Sequence, residues 1–334
     1  MSARDDWTLV DGERLVRYGR GSVSRDAPAL LQGRGFEPYA LVTTERASAS
    51  MPLLAERAAV VAFAGKGLVA DVAVTLRPQV TGFALVALGG GRVIDSAKAI
   101  AAAERHLRPE GVAAIPTTLS GAELTQIHRL LPDTTGGPVR PSLVLCDPGL
   151  MASQPMPALA ASAMNALAHA CEACWNANGS PLTDVGAAEG ARLLVEALEL
   201  PEPDRDALAL GAVQAAYAFG LVGVGVHHLV CQTLVQRLGL PHATTNAIVL
   251  PHVLALVASR EPASIVPLER VLDGRAEARV RGVARRAGGT RLRDLGCTLD
   301  ACRALVPVML ARPELSRTPW VGEQDLAGLV EAAW

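Results

Sequence analysis

Residues Phe83–Leu88, FALVAL, form an unbroken apolar run that ends in Gly89-Gly90-Gly91. A short run of this kind bounded by glycine reads as a strand buried on both faces. Val93–Glu104 follows with helical spacing, and Val112–Ile115 reads as the next strand. Strand, glycine turn, helix and strand make the unit from which parallel sheets are built. Upstream, Glu13–Tyr18 and Ala40–Thr44 read as strands, and Asp26–Gly35 and Ser48–Ala62 as helices. Leu143–Cys146 reads as one further strand, ended by Asp147-Pro148-Gly149.

Beyond about residue 150 the strand signals stop. Leu159–Trp175, Thr183–Leu198, Arg205–Gly239, Asn246–Val257, Arg275–Ala287, Leu299–Leu310 and Glu323–Ala333 carry helical patterning, and the third is expected to break near Gly223 and Gly225. The expected fold class is an α/β N-terminal domain with a parallel sheet plus an all-α C-terminal domain. The boundary is placed at Pro148-Gly149, giving domains 1–149 and 150–334. With 334 residues there is length enough for both.

Composition narrows the partners. Half the residues are hydrophobic and the net charge is −2. Such a balance argues against nucleic acid or an anionic membrane as a partner and for a small-molecule substrate. No run is read as reaching the ~18–20 apolar residues of a membrane span, and the charged start MSARDDWTLV has no leader-like core. A cytoplasmic protein with reduced thiols is expected. Cys171 and Cys174 form a C-x-x-C, read as two small buried residues on a helix rather than a redox pair.

Three clusters carry the chemistry. Gly89-Gly90-Gly91-Arg92, with Asp95 one turn on, lets backbone approach a phosphate at a helix N-terminus. A plain tight turn explains the same glycines. Thr117, Thr118 and Ser120 follow the next strand, where ligands bind in open α/β sheets; Ser120 and Glu123 also have the spacing of a capping box. In Ser162–Glu172, SAMNALAHACE, Asn165 and His169 stand four apart on one helical face. An Asp and a His so placed would begin a divalent metal site, but the first position holds a neutral amide. His228 and His242 are available downstream.

These pieces resemble the iron-dependent, group III alcohol dehydrogenase superfamily, with its dehydroquinate-synthase-like fold. The resemblance rests on GGGRVIDSAK (Gly89–Lys98), PTTLSGAELT (Pro116–Thr125), NALAHACE (Asn165–Glu172), HHLVC (His227–Cys231) and LPHATTN (Leu240–Asn246). It spans nearly the whole chain. The N-A-L-A-H form and the doubled histidine look like the maleylacetate reductase branch, which is taken to work without a metal. The resemblance implies NADH- or NADPH-dependent reduction of an unsaturated oxo-dicarboxylate with no metal required, in an expected homodimer. His228 and His242 would polarise and protonate the substrate, with Asn165 and His169 orienting them. His227 and His252 are read as lesser candidates. Thr43 and Thr44 look like adenosine-side contacts, although ordinary turn chemistry also accounts for them.

Some positions depart from the family pattern. Arg92 replaces a small serine, no lysine lies between Ser120 and Leu143, Gln232 stands where a second histidine often follows, and Ser316–Pro319 lacks an Asn-Pro-Arg triplet. Two alternatives remain open at this point: a metal-dependent alcohol dehydrogenase that tolerates Asn165, and a homologue repurposed for lyase, cyclase or binding work.

Overall fold

The computed structural model describes residues 5–108, 110–134 and 136–334. The chain divides into two compact units, Met1–Gln154 and Pro155–Trp334.

The first unit contains strands β1 (Asp6–Asp11), β2 (Arg14–Gly19), β3 (Tyr39–Thr43), β4 (Val60–Phe63), β5 (Ala84–Gly89), β6 (Val112–Pro116) and β7 (Leu143–Cys146). They form one sheet in the order β1-β2-β7-β6-β5-β3-β4. Among the described residues only the β1–β2 pairing is antiparallel. Its helices are α1 (Ser22–Gly33), α2 (Glu45–Ser50), α3 (Pro52–Arg57), α4 (Val69–Val80), α5 (Gly91–Ala103) and α6 (Pro148–Met151).

Alternate strand residues face opposite layers. Ala40, Val42, Leu85, Ala87, Val112 and Ala114 pack with Leu76 of α4 and Ile94 of α5. Tyr39, Leu41, Val86, Leu88, Ala113 and Ile115 pack on the other side with Leu31 of α1 and Leu54 of α3. Burial on both faces is why FALVAL carries no polar alternation. The chain leaves β3 towards β4 but leaves β5 towards β6, so the strand order reverses between β3 and β5. The carboxyl ends of those two strands flank the switch point, where open α/β sheets bind ligands.

The stretch expected as one helix over 48–62 is instead two short helices and a strand. Pro52 cannot continue the helix begun at Glu45 and starts the next one, and Val60–Phe63 pairs with β3. The edge strand β1 and helix α4 add to the expected elements.

The second unit is helical throughout its described residues. Its helices are α7 (Met156–Trp175), α8 (Pro181–Glu199), α9 (Arg205–Val222), α10 (Val226–Leu238), α11 (His242–Arg260), α12 (Val266–Val271), α13 (Ala276–Arg286), α14 (Leu299–Arg303), α15 (Val306–Leu310) and α16 (Glu323–Ala333). The expected break falls at 223–225, where α9 and α10 meet at 95°. The turn is held from outside: Asn176 Nδ2 donates to Gly223 O, Asn178 Nδ2 to Val222 O and Arg317 to Val224 O. Arg317, in the stretch that lacks the family's triplet, therefore has a clear structural task. The stretch 299–310 is two helices, with Pro307 in the first turn of the second.

Helix α11 has the length and apolarity of a membrane span, and 56% of that stretch is buried inside the fold. It packs against α7, α10, α13 and α16 as a core helix. Cys171 and Cys174 lie buried on α7 as free thiols. Burial pushes the Cys171 thiol up to about 12, which leaves it unreactive.

The first unit buries two ionisable residues after β5 and β6, Lys98 and Glu123. Lys98 is fully buried, and its Nζ donates to Asp95 Oδ1 (2.8 Å), Ala122 O (2.9 Å) and Ile127 O (3.0 Å). Glu123 is 1% exposed, and neither carboxyl oxygen has a partner among the described residues. Burial raises its pKa from 4.5 to about 7, with the Lys98 charge opposing. The folded chain thus holds a proton that the unfolded chain releases. The stability this confers is complete below about pH 4.5 and is lost as pH rises through about 7, on the order of 3 kcal/mol in all. Glu123→Gln should therefore stabilise the protein at about pH 8.5 and leave it nearly unchanged at about pH 4. Urea unfolding at the two pH values checks this, and an equal effect at both would contradict it.

Candidate functional site

Each unit assembles one part of the expected machinery. In the first, β5 ends at Gly89, and Gly90 enters α5 with no side chain capping the helix. Gly89 pairs with Pro116, and Thr117 N–H donates to Gly89 O at 2.9 Å. The Gly89–Arg92 and Thr117–Ser120 clusters therefore meet on neighbouring strands. They meet closely: a Cβ on Gly90 would lie 2.9 Å from Thr118 Cγ2, and one on Gly91 would lie 3.0 Å from Ser120 Cβ. Ser120 Oγ is buried without a partner among the described residues. An uncapped helix N-terminus beside a small hydroxyl loop is suited to an anionic group such as a pyrophosphate.

The remaining expected residues of this cluster divide. Arg92 is exposed on the first turn of α5. The Asp95 carboxylate is engaged by Lys98. The expectation for Thr43 is corrected: it is fully buried and its hydroxyl donates to Leu88 O at 2.9 Å. It fastens the end of β3 to the end of β5 and does not present itself to an adenosine. Thr44 caps α2 by accepting from Ala47 N–H. The capping-box alternative at Ser120 and Glu123 also falls, since no helix starts there.

In the second unit, α7 presents Asn165, His169 and Glu172 on one face. The His169 ring stacks on Phe219 of α9, with centroids 4.4 Å apart, and on His228 of α10, 4.8 Å apart and 13° from parallel. Glu172 is fully buried at the start of α10. Its Oε1 accepts from His227 N–H at 2.7 Å and from His228 N–H at 3.4 Å, while Oε2 accepts from His228 Nδ1 at 2.5 Å. A carboxylate at a helix N-terminus meets unpaired N–H groups and the positive end of the dipole. Gly225 makes room for it, since a Cβ there would lie 2.9 Å from Glu172 Oε1.

Bonding of Nδ1 to Glu172 leaves His228 Nε2 facing the opposite way. That atom is buried without a partner among the described residues, as are Asn165 Oδ1 and His169 Nδ1. Burial, aided by the charges of His228, His227 and His242, holds His169 well below the usual histidine value, so it is neutral at neutral pH. His227 is lowered in the same way, by burial first. Its Nε2 bonds Asn246 Oδ1 at 3.2 Å and lies 3.5 Å from Cys231 Sγ.

His242 is exposed and is the first residue of α11, whereas the sequence placed it before the helix. Asn246 Nδ2 donates to its carbonyl at 3.0 Å. Gln232, where the family often has a histidine, is bonded to Arg312. His252 lies away from the cluster, six residues beyond Asn246 on α11.

The structure thus gathers Asn165, His169 and His228, with His242 close enough to influence His169 electrostatically. It adds two residues that sequence reasoning did not single out. Glu172 was legible, being one turn beyond His169 on the same face. Phe219 carried no signal in its own sequence context.

Residues 159–334 match the C-terminal model of the Fe-containing alcohol dehydrogenase family. The chain is 34% identical over 260 residues to maleylacetate reductase from Rhizobium sp. (strain MTP-10005), covering 75% of this chain and 66% of that protein. The structure is similar to crystal structures of maleylacetate reductase from Agrobacterium tumefaciens (TM-score 0.84, 29% identity, covering 98% and 97% of the two chains) and of an iron-containing alcohol dehydrogenase from Corynebacterium glutamicum (TM-score 0.84, 31% identity, covering 95% and 94%). The chain belongs to the Fe-containing alcohol dehydrogenase family, and with it to the oxidoreductases. The sequence similarity falls on the maleylacetate reductases of that family.

The Glu172 contacts yield a direct test. Glu172→Gln keeps the volume but replaces one charged acceptor with a donor, so it should cost about 1.5–3 kcal/mol. Gly225→Ala should destabilise in the same direction by displacing Glu172. Urea unfolding of both variants at neutral pH checks this, and two wild-type midpoints would contradict the capping role.

Proposed function

We propose that this chain is a metal-independent reductase that uses NADH or NADPH to reduce a small unsaturated oxo-dicarboxylate of the maleylacetate kind. The observation that carries the reading is the trio of buried, unpartnered atoms Asn165 Oδ1, His169 Nδ1 and His228 Nε2, set on a histidine backed by the buried Glu172. Buried polar atoms left unpaired are costly, and they cluster where a ligand supplies the partner. The names of the relatives support the substrate class.

The family name implies iron, and the donor set argues against it here. The position that would begin a metal site is an amide. The one carboxylate in the cluster, Glu172, is turned to the α10 N-terminus and His228 Nδ1. The His169 and His228 rings stack 13° from parallel, so their in-plane lone pairs do not converge on one ion. With Asn165 in place of a carboxylate and Glu172 turned away, the histidines have no anionic ligand beside them to complete a divalent site.

The cradle at Gly90, Gly91 and Ser120 fits the cofactor's phosphates. A nicotinamide held there would supply the hydride equivalent for the alkene. This chain supplies the matching proton and polarises the carbonyl. A proton held at His228 Nε2 passes to the substrate as charge develops there, and Glu172 at Nδ1 fixes the ring and offsets its charge while the proton is held. His242, exposed at the start of α11, donates to the substrate carbonyl. Asn165 orients the substrate through its amide, and the neutral, stacked His169 holds the His228 ring in plane. The proposal includes a cytoplasmic homodimer acting on a small molecule, with no nucleic acid or membrane partner.

Steady-state oxidation of NADH and NADPH with maleylacetate tests the reading. His228→Ala and His242→Ala should keep cofactor binding and lose ~10²–10⁴ in turnover. Gly90→Val should lose cofactor binding, because its side chain runs into Thr118 at the turn. Wild-type turnover in both histidine variants would contradict the site. Cofactor binding without reduction of any oxo-acid would contradict the function.

A further inference from the structure

Away from the histidine cluster, the second unit holds a concentration of positive charge that the reductase reading does not use. Residues 270–294 contain eight arginines against three carboxylates, in a chain whose net charge is −2. Several of these arginines line a cavity of about 370 Å³ bounded by α11, α13 and the loop that follows α13. Ala247, Ile248 and Pro251 of α11 form its apolar wall, and His252, Arg281, Arg285 and Arg291 its basic one. Helical spacing puts Ile248, Pro251 and His252 on the face of α11 opposite His242 and Asn246. The cavity is therefore distinct from the proposed reaction site.

Not all of these charges are paired among the described residues. Arg281 pairs with Glu277 at 2.9 Å. Asp294, the carboxylate at the rim, is occupied by Thr290 Oγ1 at 2.7 Å and Arg291 N–H at 3.2 Å. The guanidinium groups of Arg285 and Arg291 have no ion pair among the described residues. Arg293 lies over the Trp334 ring, 5.9 Å from its centroid. His252, which lines the same cavity as Arg281 and Arg291, is held below the usual histidine value by burial first and then by those two charges.

The arrangement is also built rather than loose. Gly289 N–H donates to Ala284 O at 2.8 Å, and the loop sits so close to α11 that a Cβ on Gly289 would lie 3.0 Å from the Ala247 carbonyl. Arg291 is thereby presented from a loop clamped between two helices.

We propose that this cavity is a binding site for a small, multiply charged oxyanion, either a phosphate ester or a polycarboxylate. Guanidinium groups bind both chemistries through paired N–H donors. Several held around one hollow gain more from a shared dianion than from separate chloride ions. The apolar wall leaves space for the ligand's carbon body.

Calorimetric titration of the full chain with pyrophosphate and with citrate, at low and constant ionic strength and with saturating NADH present, tests the proposal. One saturable site should appear for at least one probe. Tighter pyrophosphate assigns the phosphate class and tighter citrate the polycarboxylate class. Arg291→Ala and Arg285→Ala should each weaken binding roughly tenfold or more, with NADH affinity and the melting temperature in chloride unchanged. Arg92→Ala, at the glycine turn, should leave pyrophosphate binding intact. The proposal is overturned if neither probe binds, if NADH abolishes binding, or if the Arg291 and Arg285 variants bind as wild type. Binding of a single-stranded oligonucleotide with no response to either small anion would overturn it in favour of a polyanion surface.

Discussion

The carboxylate of Glu172, buried at the start of α10, is the contact on which the second unit's site depends. It resolves three demands at once. It satisfies N–H groups that the helix leaves open, it sits at the positive end of the dipole, and it binds His228 through Nδ1. A buried carboxylate is costly unless so paired. Because it is so paired, the His228 ring cannot rotate freely: its other nitrogen is held on the side away from Glu172, and its face lies against the His169 ring. The glycine at 225 makes room for that one group.

The first unit follows a parallel logic with backbone in place of side chain. At Gly90 and Gly91 the absence of Cβ atoms lets the Thr117–Ser120 segment close onto the α5 N-terminus. Lys98 then stitches the far side of the same segment to α5 through the carbonyls of Ala122 and Ile127. The result is an open helix end and a row of small hydroxyl residues held in register by neighbouring strands.

The core of this arrangement was legible in the sequence because it is buried on both faces. β5, β6 and β7 are continuous apolar runs, and their bounds are nearly those expected. β1 was not legible, since an edge strand such as DWTLVD is half solvated and carries charges at both ends. Val60–Phe63 was hidden because an Ala-rich stretch precedes it with helical spacing, and only tertiary pairing with β3 decides its state. In the site, Asn165 and His169 were visible from their spacing. Glu172 was passed over because a search for metal ligands gives no weight to a carboxylate that serves a helix end. Thr43 misled for the opposite reason: a threonine at a strand end can serve a ligand or a neighbouring carbonyl, and here it serves Leu88.

The central claim is that a carboxylate-backed histidine does the work assigned by the family name to iron. The most direct measurement is metal analysis by mass spectrometry paired with turnover, on protein dialysed against a strong chelator. The account predicts far less than one equivalent of iron or zinc per chain and unchanged NADH oxidation with maleylacetate after chelation. One equivalent of metal per chain, lost together with activity and restored with it on adding the ion back, would contradict it.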